Sequence, residues 1–372
     1  MRRRWLLALL GMVVLCGGCF GSRDLDQRAF IMAIAFDPAE EGKEGYKVTV
    51  QIPVPARMSP EGGGSGKTFH TTSVTATTVG AAMIQLQRRI DRELFIGHTR
   101  QLLFSDQLAK TKGIEDILDF FKRDFRFQRV ADLAVVQGEA GKVLEMQPPL
   151  EQNAATYIEN VLVETSGSGF HTTTDLGEYL VIDADEGIEP VLPRLMLKEK
   201  ELITGGAAIL CGGKLVGWLT PAEALAYTIL RNEFRFSRYV VNFPGRPGEK
   251  VTVRIRNARS KHKVEIVGGK LHVLTKITGG FEALEFIGNG GPSEWLIPRL
   301  EQEVSEKVAE GIRAALRKSQ ALNADIVGYG RMLRAKYPEY WDQVDWTKVY
   351  PRLKIKVAVD IQWTQTIRRP GR

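Results

Sequence analysis

Residues 251–277 read VTVRIRNARSKHKVEIVGGKLHVLTKI, and this stretch sets the fold class of the second half of the chain. Apolar and polar residues alternate along it, which is the period of a half-buried β-strand. The alternation predicts strands at 251–256, 263–267 and 271–277, separated by short charged or glycine-containing turns. Short turns join antiparallel neighbours, so the stretch predicts an antiparallel meander.

The residues before the meander predict further antiparallel structure. Strands at 207–210 and 215–219 flank Cys211-Gly212-Gly213-Lys214, a four-residue hairpin loop. Thr220 then begins a helix, with Pro221 in its first turn and Glu223 completing a capping box. Another strand is predicted at 239–243.

The residues after the meander predict a helix that covers it. A long helix begins at Pro292-Ser293, and its apolar residues recur every three or four positions. A short helix at 325–336 and an alternating strand at 353–363 follow. The second half therefore predicts an antiparallel-sheet-plus-long-helix domain of α+β class, with one sheet face packed and the other free.

The first half predicts mixed α/β structure, in one or two modules. The apolar run 29–36 predicts a buried strand, and 46–54 alternates strictly, although Pro53 favours an edge position for it. Helices and strands then alternate, with helices at 78–95, 114–122 and 151–164 and strands at 101–104 and 133–136. Gly/Ser/Thr-rich and Pro-containing segments at 166–174 and 183–193 predict a boundary between domains at 19–190 and 200–372.

The N-terminus predicts export. Arg2-Arg3-Arg4 precedes a short apolar run, and Gly17-Gly18 stands directly before Cys19, which is the order of a secretory signal peptide over residues 1–18. The alternative, a permanent membrane helix, needs about 20 apolar residues, and this run is shorter. The segment resembles a bacterial lipobox, although Cys16 stands where a leucine is usual. Cys19 is therefore the predicted site of lipid attachment, and Leu15 before Cys16 makes Cys16 a poor substitute.

Composition limits the chemistry of the remaining chain. The 372 residues carry a formal charge of +7, which falls to +4 when the three arginines of the signal are removed. Ten Lys/Arg and four Asp/Glu lie in residues 331–372, so the excess positive charge is at the C-terminal end. Such an end suits anionic phospholipid, an acidic partner or simply solvent. Apart from Cys16 and the predicted anchor Cys19, Cys211 is the one cysteine of the chain, so no intrachain disulfide is expected in the body.

The sequence shows no catalytic, metal or cofactor constellation. Gly62–Thr68 ends like a nucleotide-binding loop, but Glu61 stands where a glycine is needed and the following residues predict a strand. The five histidines are far apart, and none has ligand spacing with a cysteine or another histidine. Cys211, in a hairpin turn, is a weak candidate nucleophile. The aromatic and basic residues at 120–127 predict a helix end passing into a strand, with core phenylalanines, and no nucleic-acid site.

Several ordered features together resemble one family. Cys19, Arg23-Asp24-Leu25, the apolar run ending in Asp37, and Tyr46–Pro53 resemble the start of Ger(x)C lipoproteins, the C subunits of bacterial spore germinant receptors. Phe20-Gly21 stand where that family commonly has Trp-Asp. Later matches are His98, Gly217-Trp218-Leu219 with Glu223, Gln320, Asp325–Gly330, Tyr337-Pro338 and Trp341.

The resemblance implies a non-enzymatic lipoprotein, palmitoylated at Cys19, that is held on the outer face of the spore inner membrane. It also implies two partners, an A-type and a B-type membrane subunit, and a role in assembly or signal relay during nutrient-triggered germination. The alternative is a solute-binding lipoprotein of a transport system, which requires two similar α/β lobes. A cell-wall hydrolase is a third hypothesis, which the lack of suitably placed paired acids disfavours.

Overall fold

The computed structural model describes residues 27–54, 67–166, 169–199, 201–242, 248–287 and 294–364. The predicted signal peptide, Cys19, the glycine-rich loop up to residue 66 and the Pro292-Ser293 helix start lie outside these ranges. The protein has the predicted α+β class, with an eight-stranded sheet, a four-stranded sheet and a small pair, β1–β5. The strands are β1 (Arg28–Phe30), β2 (Ala33–Pro38), β3 (Tyr46–Pro53), β4 (Phe69–Ala76), β5 (Glu93–Phe95), β6 (Gln101–Ser105), β7 (Asp132–Gln137), β8 (Val191–Lys198), β9 (Glu201–Cys211), β10 (Lys214–Leu219), β11 (Phe236–Asn242), β12 (Lys250–Val267), β13 (Lys270–Ile287) and β14 (Ile355–Trp363).

Helices cover both faces of the first sheet and one face of the second. The helices are α1 (Val79–Gln87), α2 (Asp106–Thr111), α3 (Glu115–Arg123), α4 (Ala140–Glu145), α5 (Ala154–Ser166), α6 (Leu176–Asp183), α7 (Pro221–Arg231), α8 (Ile297–Ala321), α9 (Tyr329–Lys336), α10 (Pro338–Trp341) and α11 (Trp346–Val349). None of these helices combines the length and apolar composition needed to span a bilayer.

The first sheet is mixed, with strand order β10-β9-β8-β7-β6-β2-β3-β4. Its centre, β2-β6-β7-β8, is parallel, and antiparallel strands flank it on both sides. Parallel central strands are apolar on both faces because helices cover both. Accordingly, one core cluster contains Phe36, Phe104 and Phe121, and another, on the opposite face, contains Leu103, Val136 and Ile158.

The apolar run 29–36, expected as one strand, is two strands. β1 pairs in parallel with β5, whereas β2 lies in the centre of the large sheet. Between them the Ile31 N–H donates to the Phe95 carbonyl and the Met32 N–H donates to the Gln51 carbonyl. The single-strand prediction was wrong because burial, and therefore apolar composition, continues through the bend: Ile31 is fully buried.

β3 matches the predicted strand, but its expected edge position was wrong. It pairs with β2 on one side and β4 on the other, and β4 is the edge. Pro53 is tolerated because it is the last residue of the strand, so its missing N–H interrupts no bond further along. Gln51 is fully buried on the sheet face that α4 and α5 cover. Its side-chain amide donates to the Leu144 carbonyl and accepts from the Ala155 N–H.

The predicted helix at 78–95 is shorter in the structure. Thr78 caps α1, its hydroxyl accepting from the Ala81 N–H, and the helix ends at Gln87. The chain then forms β5, so the apolar Leu94 belongs to a strand. The helices predicted at 114–122 and 151–164 are confirmed as α3 and α5, and the strands at 101–104 and 133–136 as β6 and β7.

The second half has fewer and longer strands than predicted. The strands expected at 251–256 and 263–267 are one 18-residue strand, β12, which continues through a bulge where Asn257 takes a positive φ of 54°. β13 is also 18 residues long. β11, β12 and β13 form the expected antiparallel meander, whereas β14 joins β13 in parallel. The long helix that connects β13 to β14 makes this possible, because a crossover returns the chain to the same end of the sheet.

The hairpin and helix at 207–231 follow the sequence prediction closely. Cys211 pairs with Lys214, so the turn itself is the two residues Gly212-Gly213, with φ of 52° and 67°. Thr220 and Glu223 form the predicted capping box at the start of α7. β8, β9 and β10 extend the first sheet across residues 191–219, and the division into domains at 19–190 and 200–372 stays a prediction.

Candidate functional site

The predicted lipid-attachment residue, Cys19, lies outside the described residues. Two of the described histidines, His98 and His262, make packing or hydrogen-bond contacts. His98 packs between Phe30 and Phe95, with ring centroids 5.3 and 5.5 Å away. The His262 ring contacts the Leu230 carbonyl and the Thr275 hydroxyl at 2.9 and 3.0 Å. Within the described ranges no three His, Cys, Asp or Glu side chains are grouped to hold a metal ion.

Cys211 is held as a thiol. Its Sγ donates to Glu189 Oε1 at 3.6 Å. Burial, together with the nearby carboxylate, raises the pKa of the Cys211 thiol to about 11. A thiol with such a pKa is a poor nucleophile at neutral pH. Burial likewise raises the pKa of Glu189 to about 7, although the Cys211 and Gly212 hydrogen bonds oppose that shift.

The motif Asp325–Gly330 forms a buried loop that joins the two halves of the chain. The Asp325 carboxylate accepts from the N–H groups of Val327, Gly328 and Gly330 at 2.8–3.3 Å. Burial raises the pKa of Asp325 to about 6, against the lowering effect of these bonds. The Asp325 carbonyl in turn accepts from the Glu189 N–H, so the loop is fixed directly to the segment after α6.

Gly187 and Gly330 allow a close backbone approach between the segment 185–189 and the Asp325–Arg331 loop, a contact that we call the junction. The Arg331 N–H donates to the Gly187 carbonyl, and a Cβ added to Gly187 would lie 2.6 Å from Arg331 N. Arg331 and Arg334 of α9 also pair with Asp185. The junction thus joins residues about 140 positions apart through backbone bonds, ion pairs and close packing.

A groove of about 820 Å³ lies beside α3. The N-terminal end of α1, the outer face of α3 and the loop after α3 form its walls. Tyr46, Val79 and Phe120 supply apolar surface inside it. Phe125, on the loop, is 95% exposed at the rim.

The charged residues of the groove are mostly paired with each other. Arg123 donates to Asp119 at 2.7 Å, and Arg126 donates to Asp124 at 2.7 Å, which lowers the pKa of both carboxyls. Aromatic residues and arginines, which this groove contains, are enriched at protein interfaces. The surface suits a peptide or protein partner.

The sequence prediction for this region was partly wrong. Phe121 and Phe127 are in the core as expected, but Phe125 is exposed, and no strand follows until β7. Phe125 is four residues from Phe121, a spacing that would place both on one face of a continuing helix. In the structure Asp124, in an extended conformation, already ends the helix. The helical period therefore does not extend to Phe125.

Comparison with known proteins places these features in context. Residues 21–197 match the family described as "Spore germination protein N-terminal domain", and residues 205–371 match "Spore germination B3/ GerAC like, C-terminal". Spore germination protein GerQC of Bacillus cereus is 24% identical, with 98% of this chain and 99% of that protein covered. Spore germination protein KC of Bacillus subtilis is also 24% identical, with 100% and 97% covered. The crystal structure of the GerBC protein has the same fold, with a TM-score of 0.59, 18% identity, and 90% and 98% of the two chains covered.

Proposed function

This chain belongs to the Ger(x)C family of spore germination proteins, and we propose that it is the lipid-anchored C subunit of a spore germinant receptor. The observation that carries this proposal is the extent of the family matches, which together span residues 21–371 except for a short segment at 198–204. The proposed role is non-enzymatic: the body assembles with an A-type and a B-type membrane subunit, or relays their signal, during nutrient-triggered germination.

The anchor follows from the sequence around Cys19. In this proposal residues 1–18 are removed and Cys19 is lipidated, which holds the body on the outer face of the spore inner membrane. One acyl chain gives only marginal binding, whereas the multiple chains usual for a bacterial lipoprotein give a stable anchor. Confinement to the membrane surface raises the effective concentration of the body relative to the membrane subunits, so weak contacts become sufficient.

The groove beside α3 supplies a contact surface for such a partner. Large exposed aromatic side chains beside apolar floors often dominate the binding energy of an interface. In the proposal Phe125 enters a pocket on a membrane subunit, and the junction at Asp325 couples this half of the molecule to the second sheet.

The solute-binding alternative is less well supported by the topology. That class needs two similar lobes that close on a ligand, but this chain forms an eight-stranded mixed sheet and a four-stranded sheet of different strand order. The names of both relatives also refer to spore germination.

The proposal is tested by crosslinking and capture of the tagged protein from spore membranes. We expect the A-type and B-type receptor subunits to be recovered with it. Recovery of transporter permease subunits without these two receptor subunits would contradict the assignment and support the solute-binding alternative.

A further inference from the structure

The second sheet has one face that none of the described helices covers. Along β12 the buried residues Val251, Val253 and Ile255 face the core, and the residues between them face outward. The bulge at 257–259 shifts the alternation by one residue, so that Ser260 and Val264 face the core and Lys261 and Lys263 face outward. On the outer face of this second half, exposed lysines lie on β12, on β13, and directly before and within β14. Lys270 is one of them, at the hairpin turn. We call the other five the lysine face: Lys261, Lys263, Lys276, Lys354 and Lys356.

The strand register brings these lysines close together. Lys261 lies directly opposite Lys276, and Leu274 lies opposite Lys263 on one side and Lys356 on the other. Neighbouring strands are about 4.8 Å apart, so the side chains of adjacent rows are neighbours in space. Like charges directly opposite across two strands destabilise a sheet. The sheet therefore carries an unfavourable arrangement that an anionic partner would relieve.

The acidic residues nearby compensate little of this charge. Lys263 pairs with Glu265 at 2.8 Å. Asp360 lies opposite Thr278, one row beyond Lys276. Among the described residues the other four lysines of the lysine face form no salt bridge. A groove of about 510 Å³ runs along Lys263, Leu274, Lys354 and Lys356.

Apolar residues at the end of the same face favour one kind of occupant. The β12–β13 hairpin turns at Gly268-Gly269, and Val267 beside this turn is 60% exposed. Leu274 is half-buried among the lysines. A shallow basic face that ends in an exposed apolar hairpin tip matches the boundary of an anionic bilayer, where headgroups meet acyl chains.

We propose that the lysine face and the Val267 hairpin tip bind an anionic phospholipid surface. This extends the proposed function, which already puts the body beside a bilayer, because it fixes which side of the second half faces the membrane. Ammonium groups contact the lipid phosphates, and Val267 contacts the upper acyl region.

The test measures vesicle binding without the anchor. Residues 20–372, which retain every described residue, are sedimented with vesicles of mixed phosphatidylglycerol and phosphatidylcholine or of phosphatidylcholine alone. We expect binding to the mixed vesicles only, and its loss when salt is raised from about 0.05 to 0.5 M. Each lysine near an anionic surface changes partitioning by about fivefold, so K261Q/K276Q/K356Q should lower it by roughly 100-fold.

A matched variant separates location from net charge. K43Q/K142Q/K307Q removes the same charge from exposed lysines elsewhere, Lys307 being on α8 behind the opposite face of the sheet. It should bind vesicles like the unchanged protein. The proposal is overturned if the unchanged protein ignores the mixed vesicles, or if the two triple variants bind equally. Capture of an acidic protein by the lysine face without vesicle binding would also overturn it. Because no receptor subunit is present, failure here leaves the receptor assignment unaffected.

Discussion

At the scale of single residues, the junction holds buried carboxyl groups with raised pKa values. Glu189 and Asp325 are joined through a backbone hydrogen bond, and Asp183 lies close enough to raise the pKa of Glu189 further. Burial is the main cause in each case, since a carboxylate loses hydration when it is removed from water. We therefore expect the junction to respond to pH in a range where ordinary carboxyl groups do not.

Glu189→Gln should remove part of that pH dependence. The pKa of Glu189 is about 7 in the folded state against an ordinary value of 4.5. Between these values the folded state binds a proton that the unfolded state lacks, so the free energy of unfolding decreases as pH rises through this window. We expect the difference in this free energy, variant minus unchanged protein, to grow by roughly 1–3 kcal/mol from pH 5 to 8. Urea unfolding at each pH measures it, and parallel curves would contradict the prediction.

Cys19→Ala should detach an intact protein from the membrane and impair germination. The reason is that Cys19 is the predicted lipid-attachment residue, so its loss removes the proposed anchor. Fractionation of spore membranes and a germination assay measure the two effects. Cys16→Ala is the matched control and should leave both unchanged. A Cys19→Ala protein that stayed membrane-bound and active would assign the lipid to Cys16 or the attachment to partner contacts.

At the scale of elements, the junction depends on backbone contact between the segment after α6 and the start of α9. Gly187 takes a positive φ of 83° and lies against Gly330 and Arg331. Only glycine meets both conditions, because a side chain would be strained by the conformation and would also collide with the facing backbone.

Gly187→Ala should therefore cost about 3 kcal/mol or more of the free energy of unfolding. Gly42→Ala is a close control, because Gly42 has a φ of 82° and open space around the position of a Cβ. That control should cost only about 1 kcal/mol, the contribution of the conformation alone. Chemical denaturation of both variants separates the cost of the backbone conformation from the cost of the collision with the facing backbone. Equal losses would show that the close approach contributes nothing.

At the scale of the whole molecule, the structure presents two different surfaces. The groove beside α3 in the first half combines apolar side chains with internally paired charges, whereas in the lysine face only Lys263 is paired, with Glu265. The first suits a protein partner and the second an anionic surface. A membrane-anchored subunit with both could contact lipid and receptor subunits at the same time.

Phe125→Ala should weaken association with the receptor subunits without affecting folding. Phe125 is almost fully exposed, so its removal should change the free energy of unfolding by less than about 0.5 kcal/mol. A central aromatic residue of an interface contributes about 2 kcal/mol or more, so capture of the subunits should fall at least tenfold. Leu150→Ala, at a residue 85% exposed elsewhere, is the control. Equal capture by both variants would exclude the groove as the docking surface.

The sequence by itself determined the features that depend on neighbouring residues. Alternation gave β3 and β14, the Thr220–Glu223 pair gave the start of α7, and the residues around Cys19 gave the predicted anchor. These features are local: a strand repeats every two residues, and a capping box or a lipobox spans only a few positions. The α+β class followed from the order of such elements.

Only the tertiary structure decided the features that depend on distant partners. It divided the run 29–36 between two sheets, joined two predicted strands into β12, and set β14 parallel to β13. It also left Phe125 exposed and brought Asp325 against Glu189. An apolar residue has the same composition signal whichever strand or helix buries it, because hydrophobic burial is not directional. Pairing partners, strand direction and surface clusters arise only when residues far apart in the chain compete for the same space.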